Sequence, residues 1–332
     1  MDAPDSINLS VLDLSVLNEG TSSGDALRAT TALAQRADAL GYRRFWVAEH
    51  HNMPSVACTT PPVLIAHLAA LTSRIRVGSG GVMLPNHAPL VVAEQFAALE
   101  ALHPGRIDLG IGRAPGTDYA TAAALRRSAD SLGAEDFPRH LLDVMGLLGD
   151  ERLPEGLSNK FHATPAASSF PQIYLLGSSD FSAQLAGILG LPFAFAHHFD
   201  MGGTLEATAL YRGSFEPSAA LDEPYTIVTA NVLAAETAEE AEWHGASGRL
   251  AALRRRTGRF TPLASPQAAT DHPDFADAQR LNTNRIVGEV SDVVARLREL
   301  ANRTAANELM VTAVAFDLAA RERSLELLAA RW

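Results

Sequence analysis

Cysteine is almost absent: the chain of 332 residues has a single one, Cys58. One thiol forms no intrachain disulfide and no multi-thiolate metal site, so the fold has to stand on packing. Basic residues are in the minority, 27 Lys and Arg against 38 Asp and Glu, for a formal charge of −11. With no basic stripe to offset that field, a nucleic-acid partner is excluded, because phosphate backbones are repelled. Long hydrophobic runs are missing too. No apolar stretch reaches the ~20 residues of a membrane helix, and the opening "MDAPDSINLS" has neither the positive start nor the apolar centre of an export signal. The expected address is cytoplasmic, away from membranes. Internal repeats and low-complexity tracts are absent beyond alanine-rich helices. What remains is a chain with 47% hydrophobic and 20% charged residues, able to bury a substantial core. Its length suits one large α/β barrel or two medium domains.

Apolar runs of strand length alternate with helical stretches from end to end, the pattern of repeated βαβ units around a parallel sheet. Eight runs stand out: 9–14, 43–48, 74–80, 106–112, 172–177, 192–197, 225–234 and 308–315. Between the first two, Ala26, Leu27, Thr30, Leu33, Ala34, Ala37 and Leu40 keep roughly helical spacing before Gly41 ends the segment. Eight strands with their helices over about 250 residues plus insertions predict one (β/α)8 TIM barrel across 1–332 rather than two open sheets. Two segments read as insertions. The first is 49–60; the second is 236–284, where "RLAALRRRTGRF" gives way to a Pro-, Gln-, Asp- and His-rich stretch expected to serve as a lid.

Loops at the carboxyl ends of the strands build the active site in such a barrel. Glu49, His50 and His51 follow the second run, where an imidazole suits a general base or a metal ligand. A histidine satisfying a backbone carbonyl beside an exposed neighbour is an equal alternative. No His-x-His closes the first strand, which continues as "LDLSVLNEG", so no metal centre is expected. Gly78, Gly80 and Gly81 interrupt the third run, as a bulge requires or as a backbone lying flat against a planar ligand requires. His87 follows them, with inward and outward orientations both open. Arg113, among Gly110, Gly112 and Gly116, brings a guanidinium and free backbone N–H groups suited to an anion, with a plain tight turn as the alternative. The spacing is neither that of a P-loop nor that of a dinucleotide fingerprint. Ser178, Ser179 and Ser182 stand at a helix start, which favours phosphate, and one of them is expected to cap the helix in any case. His197 and His198 repeat the paired histidines after the sixth run, where core and exposed roles compete with catalysis. Cys58, among small and hydroxyl-bearing neighbours, reads as a structural thiol rather than a nucleophile.

In this order and spacing, "RFWVAEHHNM", "LTSRIRVGSGGVMLPNHAPLVVAEQFAALEALHPGRIDLGIGRAPGTD" and "LLGSSDFSAQLAG" resemble the bacterial luciferase-like flavin monooxygenase family. The likeness runs on to "VGEVSDVVARLRELANRTAANELMVTAVAF" and leans towards the non-luminescent, antibiotic-tailoring branch. The resemblance implies a barrel that holds FMN as FMNH2, supplied by a separate NAD(P)H:flavin reductase. Oxygen is activated at flavin C4a and delivered to a bulky, largely apolar small molecule, and the chain forms a homodimer. It implies a catalytic role beside the isoalloxazine for His50. Gly80 and Gly81 match a non-proline cis peptide against the flavin, and Arg113, Ser178, Ser179 and Ser182 match phosphate contacts. The luciferase α subunit carries a reactive cysteine where this chain has Gly112, so light-emitting chemistry is not part of what the resemblance implies. Two other readings of the same barrel stay open: a deazaflavin-dependent hydride transferase, and a flavin-binding relative without catalysis.

Overall fold

The computed structural model describes residues 7–126, 136–150, 156–199 and 201–332; residues 1–6, part of the stretch read for an export signal, lie outside them. Its strands are β1 (Asn8–Asp13), β2 (Arg44–Val47), β3 (Arg76–Met83), β4 (Ile107–Gly112), β5 (Gln172–Gly177), β6 (Phe193–Phe195), β7 (Thr226–Ala235), β8 (Ile286–Glu289) and β9 (Glu308–Thr312). Strands β1 to β7 lie side by side in chain order, β9 inserts between β7 and β1, and every pairing is parallel. The ring therefore closes with eight strands, a (β/α)8 barrel. β8 is a ninth strand that the sequence pattern did not suggest; it pairs only with Val232–Ala235, past the part of β7 that borders β9.

Strands of a closed barrel are covered by helices outside and by each other inside, which is why they read as unbroken apolar runs. All six residues of β4 and all ten of β7 are buried. The expected first helix is Ser23–Leu40, opened by a reciprocal capping box between Ser22 and Asp25 and closed by Gly41 at φ 83.

The barrel interior is layered. Its amino end is plugged by ions: Arg44, with no solvent exposure, lies 2.6 Å from Asp108 and 2.7 Å from Glu308. Arg76 adds a second cation at 2.7 Å from Asp108, and the Trp46 indole N–H donates to Asp108 over 2.9 Å. Above this floor Leu12, Trp46, Tyr174, Ala194, Ile227 and Met310 pack as one apolar cluster. With one end filled, only the carboxyl end is left for a ligand.

The segment 236–284 forms three helices, Ala238–Arg256, Pro266–Thr270 and Phe275–Arg280. They share a small core of Ala246, Leu250, Ala264 and Ala269, against which Phe275 packs. The unit docks on the loop after β1, where the Leu263 N–H donates to the Leu17 carbonyl at 2.7 Å and the Glu19 N–H donates to the Leu263 carbonyl at 2.9 Å. Among the described residues no helix is long and apolar enough to cross a membrane.

Candidate active site

A cavity partly open to solvent sits on the carboxyl end of the barrel. Six of the seven residues to which the resemblance gives a role line it: His50, Gly80, Arg113, Ser178, Ser179 and Ser182. The seventh, Gly81, is joined to Gly80 by a cis peptide bond at the cavity wall.

His50 is placed by its own loop. Its N–H donates to the Cys58 carbonyl at 3.0 Å, while the Cys58 thiol donates back to the Ala48 carbonyl at 2.6 Å. Cys58 is buried, and burial pushes its pKa up to about 12, so it remains a protonated structural thiol. The His50 imidazole leaves Nδ1 buried without a partner. Burial holds its pKa below the ordinary value; Glu49 opposes that shift, and His51 and Arg255 reinforce it. A neutral ring with a free nitrogen is a competent proton acceptor.

Glu49 turns away from the cavity and ties two loops together. Its Oε2 accepts the Met83 N–H at 3.0 Å, and its Oε1 lies 2.7 Å from His51 Nε2 and 2.8 Å from His87 Nε2. This fixes the orientation of His87, which points to the carboxylate. The three side chains offer ligand atoms within 4.8 Å of one another, yet each is already hydrogen-bonded within the group.

At the end of β3 the register with β4 shifts between Gly80 and Val82, so the glycines do accompany an irregularity. A Cβ on Gly80 would sit 2.9 Å from Leu12 Cδ1, and one on Gly81 would sit 2.8 Å from the Gly110 carbonyl oxygen. A side chain at Gly81 would run into backbone, and one at Gly80 would require Leu12 to shift.

Arg113 and the helix Asp180–Ile188 converge from β4 and β5. The guanidinium stacks on the Phe181 ring, 4.2 Å from its centroid, and has no carboxylate partner among the described residues. Ser179 occupies the N-cap position, but its hydroxyl makes no capping bond, contrary to the expectation that one of the serines would cap the helix. Ser182 is buried instead against Gly177, where an added Cβ would lie 2.4 Å from its own. An uncapped helix start leaves its first N–H groups unpaired beside a cation, a ready cradle for a dianion.

The opposite wall contains residues that sequence reasoning did not promote. His197 turns aside to Thr204, Nδ1 to Oγ1 2.8 Å, whereas His198 lines the cavity with Thr229 and Met310. Adjacent residues in one turn point different ways, so the His-His pair alone could not say which enters. Burial pushes the His198 pKa down to about 3; Arg255 adds to the shift, and the Thr229 backbone opposes it. Arg255 comes from the helix Ala238–Arg256 of the inserted unit and acts on both His50 and His198.

A (β/α)8 barrel whose carboxyl-end cavity is lined by a cation, an uncapped helix start and histidines whose pKa values burial lowers has the architecture of a small-molecule enzyme. The chain belongs to the luciferase-like monooxygenase family, whose pattern its residues 7–307 match. It is 45% identical to the Bacillus subtilis (strain 168) protein YvbT over 98% of this chain and 96% of that one. It is 42% identical to an Escherichia coli (strain K12) luciferase-like monooxygenase, covering 97% and 96% of the two chains. Among solved structures, apo-MsnO8 superposes with a TM-score of 0.91 at 38% identity, with 98% of each chain covered.

Proposed function

We propose that this protein is an FMN-dependent monooxygenase that takes FMNH2 from a separate NAD(P)H:flavin reductase in the cytoplasm and oxygenates a bulky, largely apolar small molecule. The observation that carries the reading is Arg113, stacked on Phe181 with no carboxylate partner among the described residues, at an uncapped helix start inside a luciferase-like barrel. These residues fit a flavin mononucleotide. Arg113, Ser178, Ser179 and Ser182 would hold its phosphate, and Gly80 and Gly81 would take the flat face of its ring. When bound, the reduced flavin supplies the electrons that activate O2. The chain supplies the rest. His50 lines the cavity with a neutral ring that accepts or holds a proton. The apolar walls, Leu12, Leu14, Leu176 and Phe199 among them, keep bulk water away, and the unit 236–284, whose Arg255 acts on His50 and His198, would serve as the lid.

The test is an anaerobic titration with reduced FMN, riboflavin and deazaflavin, followed by admission of oxygen under an absorbance probe. FMN is expected to bind tightly and in preference to riboflavin. Arg113→Ala should weaken FMN by at least about ten-fold, the scale of one charge-assisted contact, and riboflavin hardly at all. Equal loss for both would remove Arg113 from the phosphate. A preference for deazaflavin without oxygen consumption would point to hydride transfer.

A further inference from the structure

Beside the cavity, three metal-ligating side chains from two loops converge on one point. Glu49 and His51 come from the loop after β2 and His87 from the stretch after β3, and none of the three lines the cavity. Glu49 Oε1 meets both imidazoles through the same ring nitrogen, His51 Nε2 at 2.7 Å and His87 Nε2 at 2.8 Å. An ionised carboxylate oxygen only accepts, so each Nε2 turns a hydrogen towards Oε1. The ligand atoms of all three residues lie within 4.8 Å of one another. Two imidazole nitrogens and one carboxylate oxygen are a set that zinc takes, with water completing a tetrahedron. With bonds of about 2.0–2.2 Å, neighbouring ligand atoms around such an ion stand about 3.3 Å apart. Each imidazole would recede from Oε1 by about half an ångström to make room. The two histidine side chains are 18% and 31% exposed, which allows that step and gives an ion a way in from solvent.

The surroundings hold the three groups in place. The second carboxylate oxygen, Oε2, accepts the Met83 N–H at 3.0 Å and so orients Glu49, as the partner behind a metal ligand does. The His51 carbonyl accepts from Thr117 Oγ1 at 2.8 Å, and the His87 N–H donates to the Leu84 carbonyl at 3.0 Å. The sequence hid this set because His87 is 38 residues from Glu49. We propose that Glu49, His51 and His87 form a binding site for one divalent transition-metal ion of the zinc kind, which clamps the loop after β2 to the stretch after β3. The ion takes the place of the two hydrogens on Oε1. A neutral imidazole then carries its hydrogen on Nδ1 instead of Nε2, and a charged one releases the Nε2 proton to solvent. Neither flavin nor substrate takes part in this site.

The full chain, stripped with EDTA and desalted, is titrated with ZnCl2 in a calorimeter at neutral pH. One equivalent should bind in the wild type. His51→Ala and His87→Ala should each weaken that binding by at least about ten-fold. His67→Ala, which removes an exposed histidine on the helix Pro61–Leu71, should leave it unchanged. With two loop variants the test stays open if one of them does not fold. Co2+ in place of Zn2+ should give the intense visible absorption of a four-coordinate ion in the wild type, and both loop variants should lose it. Zn2+ at about a hundred times its Kd should raise the thermal unfolding midpoint of the wild type and of His67→Ala, but not of the loop variants. Absence of stoichiometric zinc binding in the wild type overturns the site. So does zinc binding that survives both His51→Ala and His87→Ala, which would assign the ion to surface histidines elsewhere.

Discussion

The two cavity histidines make opposite demands on a variant. His50 has an unpartnered Nδ1 and a depressed pKa, so it is in its basic form at neutral pH. His50→Ala should leave FMN affinity within a few-fold and reduce product formation by the ~10²–10⁴ that a positioned acid or base contributes; steady-state rates and flavin titration on the same preparation would separate the two. His198 shapes the acid stability of the fold. Its pKa is about 3 in the folded chain and about 6.5 when unfolded. Between these values the unfolded chain binds a proton that the folded one does not, so unfolding free energy rises with pH. The contribution of the neutral ring is complete above about pH 6.5 and is lost as pH falls towards 3. His50 is shifted in the same direction. Urea unfolding from pH 7 to pH 4 should therefore show His198→Phe losing stability less steeply than the wild type, by at most about 1.4 kcal/mol per pH unit. Parallel curves would mean that the ring titrates in the folded chain as it does in the unfolded one.

At the level of elements, the site depends on loops held by a carboxylate that never touches the cavity. Glu49 joins the loop after β2 to the Met83 and His87 stretch after β3. Glu49→Ala leaves the Met83 N–H without that acceptor and two imidazoles without their partner. Removing one member of such a buried group should cost about 2–4 kcal/mol in urea unfolding and weaken FMN through the neighbouring Gly80 and Gly81. An unfolding midpoint equal to the wild type would show that the loops are held by something else. Elements of this kind divide into those a sequence displays and those it hides. The eight barrel strands were legible because burial on both faces writes continuous apolar runs. That Arg113 and the serines meet at one cavity was legible because they fall just past strand ends. β8 was not: its residues Ile286–Glu289 are only partly buried after the first, and it pairs beyond the ring. The Arg44–Asp108–Glu308 floor was hidden as well, since its partners are 64 and 264 residues apart and charges in a strand look like solvent-facing positions. His198 was visible as a residue but not as a direction.

At the scale of the whole molecule, two barrel helices are apolar on the side that should be wet. Helix Pro61–Leu71 exposes Val63 and Leu71, and helix Pro89–Leu102 exposes Val91 and Leu102. Val91 and Leu102 are eleven residues apart, about three turns, so they share one face. Helix Pro61–Leu71 carries no Asp, Glu, Lys or Arg, and in helix Pro89–Leu102 the last-turn Glu100 is buried. The two helices follow β2 and β3 in turn and pack against each other, which puts these exposed residues on one flank of the barrel. Exposed apolar residues grouped on one flank are where a homodimer contact is to be sought. A homodimer formed through them would leave both cavity mouths free, because they are on the helical flank and the mouths are at the carboxyl ends of the strands. In sedimentation velocity the wild type should therefore run as a dimer, and Val63→Asp combined with Leu102→Lys should run as a monomer that still binds FMN. A dimer that survives the double substitution would place the contact elsewhere, and a wild-type monomer would leave these residues for a different partner.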